Sequence, residues 1–188
     1  MRSRFPWLAL ACIALGGCGH MPMTSMVKLA RVDFETSDPA QLRAAIRLPR
    51  ALRPRGVVLR IAVRVGRSPE EARDFVLREL PEPAELSREA DRVSVIYAYR
   101  IEDADLARLT AFRAELIARK SSGQGGAISI SVQPKACKTA DLSDGPLYFT
   151  TYLRTAETQD YVVLARDVDL RSLVPGRAIA DEIPRCES

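Results

Sequence analysis

Between residues 57 and 65 apolar side chains occupy every second position. Val57, Leu59, Ile61, Val63 and Val65 alternate with Val58, Arg60, Ala62 and Arg64. A period of two with arginines on one side predicts a half-buried antiparallel strand. Val93, Val95, Tyr97, Tyr99 and Ile101 repeat the pattern, as do Ile128, Ile130 and Val132 with Ser129 and Ser131 facing out. A first strand is predicted over 27–34. Asp38-Pro39-Ala40-Gln41 then carries the signals of a helix start, with Asp38 as N-cap, Pro39 at the first position and Gln41 completing a capping box. Leu42, Ala45 and Ile46 give that helix an apolar side, and Pro49 stops it.

Residues 103–120 form the best-marked helix. Asp103 caps it and acids crowd its start. Arg119 and Lys120 close it, as the macrodipole favours. Leu106, Leu109, Phe112, Leu116 and Ile117 make one stripe. Ser121 to Gly126 ends it, and strands over 147–154 and 161–166 flank the turn 155–160 as a hairpin. The tail after Leu170 is irregular. Residues 68–80 stay open between two states: Ser68-Pro69-Glu70-Glu71 starts a helix well, yet 74–80 also fits a strand folded back on its predecessor. The expected class is α+β, a mostly antiparallel sheet with two helices on one face. A ferredoxin-like βαββαβ core plus a C-terminal β-hairpin fits if 68–80 is an insertion. Nothing repeats internally, and one domain over 27–188 accounts for the body.

The chain starts differently. Arg2 and Arg4 precede the apolar run Phe5 to Leu15, which is too short to span a bilayer as a helix, and Leu15-Gly16-Gly17-Cys18 follows. This resembles the signal peptide and lipobox of bacterial lipoproteins. The resemblance implies removal of residues 1–17 and acylation of the Cys18 thiol, with 18–26 as a lipid-anchored tether. Gly19 stands where an aspartate favours inner-membrane retention, which implies a place in the outer membrane facing the periplasm. Cys12 is lost with the leader and Cys18 takes the lipid, so Cys137 and Cys186 are left to pair in an oxidising compartment.

Charge and chemistry narrow the function classes. The whole chain has 28 basic and 24 acidic residues, a balance without the footprint of a nucleic-acid binder. The one histidine, His20, lies beside the anchor, so histidine-dependent triads and multi-histidine zinc sites do not fit the folded body. No nucleophile-elbow, zincin or phosphate-loop motif is present. The glycine-rich 121–126 follows a helix and precedes a strand, the reverse of phosphate-binding order. The acid groups Asp167/Asp169 and Glu102/Asp103/Asp105 are candidates for calcium binding or acid–base work, but the calcium-loop pattern is missing and the helix acids already have a capping role. His20, Met21, Met23 and Met26 form a group whose thioether and imidazole donors suit Cu(I). Arg43, Arg47, Arg50, Arg53 and Arg55 form the densest basic stretch, and Arg50, Arg53 and Arg55 are the candidate partner-binding residues. Tyr148 and Tyr152 alternate with Phe149 and Leu153, on either a covered sheet face or an exposed interface. The expectation is a non-enzymatic, cofactor-free, periplasm-facing interaction domain. It would meet the membrane through its lipid and bind another envelope component, not nucleic acid. A small-ligand or copper-binding module is the alternative.

Overall fold

A computed structural model describes residues 21–33, 36–173, 176 and 178–187. Seven strands form one antiparallel sheet: β1 (Arg43–Pro49), β2 (Leu52–Arg64), β3 (Glu71–Leu80), β4 (Ser94–Ile101), β5 (Ala127–Lys138), β6 (Tyr148–Arg154) and β7 (Val162–Asp169). Their order across the sheet is β5-β2-β3-β4-β1-β6-β7. The sheet is strongly curled and nearly closed. Helix α2 (Asp103–Ser121) packs on one face of it, and α1 (Met23–Leu29) lies against β7. The short α3 (Ile179–Glu182) belongs to the C-terminal tail.

The predicted helix over 38–49 is corrected by the structure. Asp38 does cap, accepting the Ala40 N–H at 2.9 Å and the Gln41 amide at 3.2 Å, but the turn it starts is a 3-10 helix of three residues, Pro39–Gln41. The chain then becomes β1, paired with β4 on one side and β6 on the other. Ala44, Ala45 and Ile46 are fully buried. A central strand covered on both faces loses its alternation, and Leu42, Ala45 and Ile46 then mimic helical spacing. Without that helix there is no first βα unit, so the ferredoxin-like core is not present.

Two further segments change type or resolve. Residues 27–29, read as strand, belong to α1, and Phe34 lies outside the described residues. Residues 68–80 resolve as hairpin: Val57 pairs with Leu77 and Val63 with Glu71. The connection contains Gly66 at φ 56°, a left-handed position that a side chain rarely adopts. Phe75 and Leu77 point inward while Val76 is exposed. The capping-box residues Ser68 to Glu70 are spent in the turn.

The larger core lies under α2. Leu109, Phe112 and Leu116 meet Leu59, Ile61, Val63, Phe75, Leu77 and Val132 from the sheet. The predicted cap is displaced by one residue. Glu102 is the N-cap and makes no side-chain capping bond, while Asp103 binds Arg100. Asp105, only 5% exposed, has a different task. β4 ends at Ile101, and the Asp105 carboxylate accepts the Val76 N–H beyond it, while Glu102 N–H bonds to Val76 O at 3.0 Å. The first turn of α2 thus continues the ladder that β4 abandons. Asp105→Ala is expected to cost about 1–3 kcal/mol in urea unfolding, because it leaves the Val76 N–H without its carboxylate acceptor and frees Arg108. A loss below that range would show that water satisfies Val76.

The opposite face is covered too, which corrects the expectation of cover on one face. The segment between β3 and β4 crosses it through a 3-10 helix, Ala84–Leu86. There Leu86 joins Ala45, Ile96, Ala98, Tyr152 and Val163 in a second, smaller core. At the end of the sheet remote from α2, Cys137 of β5 is disulfide-bonded to Cys186, as expected. The tail also pairs with Lys138, whose N–H donates to Pro184 O at 2.8 Å and whose O accepts from Cys186 N–H at 3.0 Å.

Candidate functional site

A roomy concavity opens where β1 ends and β4 and β6 begin. Its volume is about 930 Å³. Arg47, Pro49 and Arg50 come from β1 and its exit, Asp91 to Ser94 from the crossing segment and the start of β4, Asp141, Ser143 and Pro146 to Tyr148 from the approach to β6, and Asp167 from β7.

Asp167 is built in against its own backbone preference. It sits at φ 48°, beside an irregularity in the pairing of β6 and β7 between Phe149 and Thr151. A non-glycine residue in this region is strained, and such strain persists only where surrounding contacts enforce it. The contacts are visible. Asp167 N–H donates to the Thr150 hydroxyl at 3.1 Å, that hydroxyl donates to the Asp167 carboxylate at 3.2 Å, and Arg47 closes an ion pair on the same carboxylate. Thr150 is fully buried. Arg47 also donates to Glu89 O at 3.4 Å. Beneath them the Tyr152 hydroxyl donates to Glu89 at 3.0 Å. Burial, and then the Glu89 charge, push the Tyr152 hydroxyl well above the ordinary phenol range.

The opposite wall is fastened by Asp91. One oxygen of its carboxylate accepts the Val93 N–H at 2.8 Å, the Ser94 N–H at 2.7 Å and the Ser94 hydroxyl at 2.8 Å. The Ser94 hydroxyl first, then the Val93 N–H, hold its carboxyl below the usual 3.8. A carboxylate with a lowered folded pKa contributes stability above its unfolded value and loses it as pH falls through the folded one. The Val93 and Ser94 amides are therefore expected to keep their hydrogen-exchange protection down to about pH 3.8 and to lose it progressively below, a fall absent in Asp91→Ala. Arg50 donates across to Arg92 O at 3.0 Å and Asp91 O at 3.3 Å.

Arg47 and Asp167 pair with each other, Arg50 and Asp91 bind neighbouring backbone and Ser94, and Asp141 pairs with Arg185 of the tail. Exposed Tyr148 and Val93 stand at the rim. Among the described residues no three His, Cys, Asp or Glu side chains gather to hold a metal.

The three candidate arginines are dispersed. Arg50 lines the cleft, Arg53 is on β2 opposite Cys137, and Arg55 pairs with Glu187 of the tail at 3.0 Å. Cys18 and His20 lie outside the described residues. Met21 precedes α1, and Met23 and Met26 sit on it at one-turn spacing, both exposed. Asp167 and Asp169 do not act as a pair, since Asp169 accepts the N–H groups of Leu147 and Arg171. Of the tyrosines, Tyr148 is half exposed at the cleft rim and Tyr152 is buried in the second core. Arg47, expected on a helix, comes from β1, and Asp91 carries a role that no sequence motif assigned to it. Asp91 sits two residues before Val93 and three before Ser94, the spacing of an Asx turn, and that was its one legible signal.

No transmembrane-length apolar helix occurs among the described residues. Comparison of the chain with protein-family models, with curated proteins and with solved structures finds no match.

Proposed function

We propose that this is a lipid-anchored protein of the outer membrane whose domain faces the periplasm and binds another envelope component without catalysis. The cleft carries the binding role: Arg47, Arg50, Asp91 and Asp167 are each held in place by hydrogen bonds or an ion pair, and its lining includes exposed Tyr148 and Val93, an aromatic and an apolar group beside Arg50 and Arg92. Tyrosine and arginine are the residue types that interfaces favour. The sequence Leu15-Gly16-Gly17-Cys18 supports the location.

Two measurements test the two halves. Protein extracted from membranes is expected to have the mass of residues 18–188 plus a diacylglyceryl and an acyl group, and Cys18→Ser is expected to abolish that addition. An unlipidated mass overturns the location. A photo-crosslinking side chain at Tyr148 is expected to give a discrete adduct in intact cells, lost on Arg50→Glu, while the same probe at Gln133 gives none. Identical patterns at both positions overturn the binding role.

A cleft of about 930 Å³ is also of the size that takes small ligands. That favours a small-ligand module as the second reading. Thermal stabilisation by periplasmic metabolites, with no adduct at Tyr148, would select it.

A further inference from the structure

A second groove lies at the opposite end of the sheet, between the last turns of α2 and the tip where β2 meets β5. Its volume is about 550 Å³. Ile128, 41% open to solvent, supplies its exposed apolar surface, and the nearly buried Val63 and Leu116 lie at its floor. Four cations line it: Arg64, Arg113, Arg119 and Lys120. Among the described residues no acidic side chain lines it, whereas the first cleft holds three arginines against three aspartates. The acids that pair with Arg64 and Arg119 are not among the residues lining it. Arg64 binds Glu70, and Arg119 binds Glu71 and Glu115. A guanidinium carries five donors, so both arginines keep N–H groups for a further anion.

One wall is bare backbone by necessity. A Cβ on Gly126 would lie 2.6 Å from Arg64 O, so no side chain can grow there and fill the space. The carbonyl ends of α2 do not oppose an anion in the groove as free groups, because the N–H groups of Ser122, Gly123 and Gln124 already cap Ala118, Lys120 and Arg119.

We infer that this groove binds an anionic amphiphile, its acyl chain lying along Val63, Leu116 and Ile128 and its phosphate or carboxylate head among Arg64, Arg113, Arg119 and Lys120. The apolar floor accounts for the chain, since burying methylenes against it is favourable in proportion to area. The one-signed rim accounts for the head, since charge near an apolar wall is screened less than in bulk water.

The test uses the full chain carrying Cys18→Ser, which removes the acylated thiol, and dodecyl phosphate below its micelle concentration as the probe. Calorimetry is expected to give one site per chain. Ile128→Glu, at an exposed edge position, is expected to weaken it by about tenfold or more, because it places a carboxylate beside the head and removes apolar contact. Lys120→Gln is expected to weaken it by roughly threefold, the scale of one partly screened charge, and Ile128→Leu to leave it unchanged. Equal binding of dodecyl maltoside overturns the proposal by removing the role of the cations. Binding of inorganic phosphate as tight as dodecyl phosphate overturns it by removing the role of the chain. Association with phosphatidylglycerol vesicles but not with the monomer would make this end a membrane-surface contact and overturns the single-molecule site.

Discussion

Phe112→Ala is expected to lower the unfolding free energy by about 3–5 kcal/mol, the range for truncating a buried phenylalanine. Phe112 is fully buried at the middle of α2. Its ring lies 6.1 Å from the Phe75 ring at an interplanar angle of 36°, and the Arg73 guanidinium sits 4.3 Å from its centroid. Truncation would therefore empty the contact between α2 and the β2–β3 half of the sheet and would also remove a cation–π partner. Arg73 would keep its bonds to Glu71 and Glu115, so it is not free to collapse into the void. With small domains typically stable by about 5–15 kcal/mol, the loss is a large fraction of the total. Urea unfolding followed by far-UV circular dichroism measures it, and Phe112→Leu serves as the mild control, expected to cost less than about 1.5 kcal/mol. A cost below about 1 kcal/mol for the alanine variant would mean that α2 is not the centre of the core.

Loss of the disulfide is the other large effect. Cys137 and Cys186 are 49 residues apart, and opening a loop of that length restores about 4 kcal/mol of chain entropy to the unfolded state. The variant Cys137→Ala/Cys186→Ala is expected to be less stable by about that amount. The native tail has other holds: the backbone bonds at Lys138, the Arg185–Asp141 pair and the Arg55–Glu187 pair. Both ion pairs are exposed and worth little. Amides in the tail are therefore expected to exchange faster in the variant than those of β1, which has a paired strand on each side. Equal loss of protection in the tail and in β1 would show that the tail does not open by itself.

Legibility varied along the chain for physical reasons. The α2 stripe was readable because one face is buried and the other is wet, which writes a period of 3.6 into the sequence. The same contrast makes the alternation of β2 plain, with Val57, Leu59, Ile61 and Val63 buried and Arg60 and Arg64 outward. β4 was found from its inward set, but Ile96 and Ala98 on its other face are buried as well, against Leu86. The middle of β1 has no wet face, and there the strand was mistaken for a helix. The first turn of that segment was read correctly because an N-cap is a local bond between Asp38 and Ala40. The strand after that turn was decided by β4 and β6, which lie about 50 and 100 residues further along.

The candidate site was less legible than the fold for the same reason. Arg47, Thr150 and Asp167 come from three strands and meet only because β1, β6 and β7 are neighbours. The left-handed turn at Asp167 follows from the break in pairing beside it, not from the residues flanking it. By itself the sequence determined the class of fold, the long helix, most strands and the pairing of two cysteines, because local periodicity and cysteine bookkeeping need no partner. Only the tertiary structure decided the curl of the sheet, the second core, the role of Asp105 as a surrogate strand and the two grooves at opposite ends, because each depends on groups brought together across long separations.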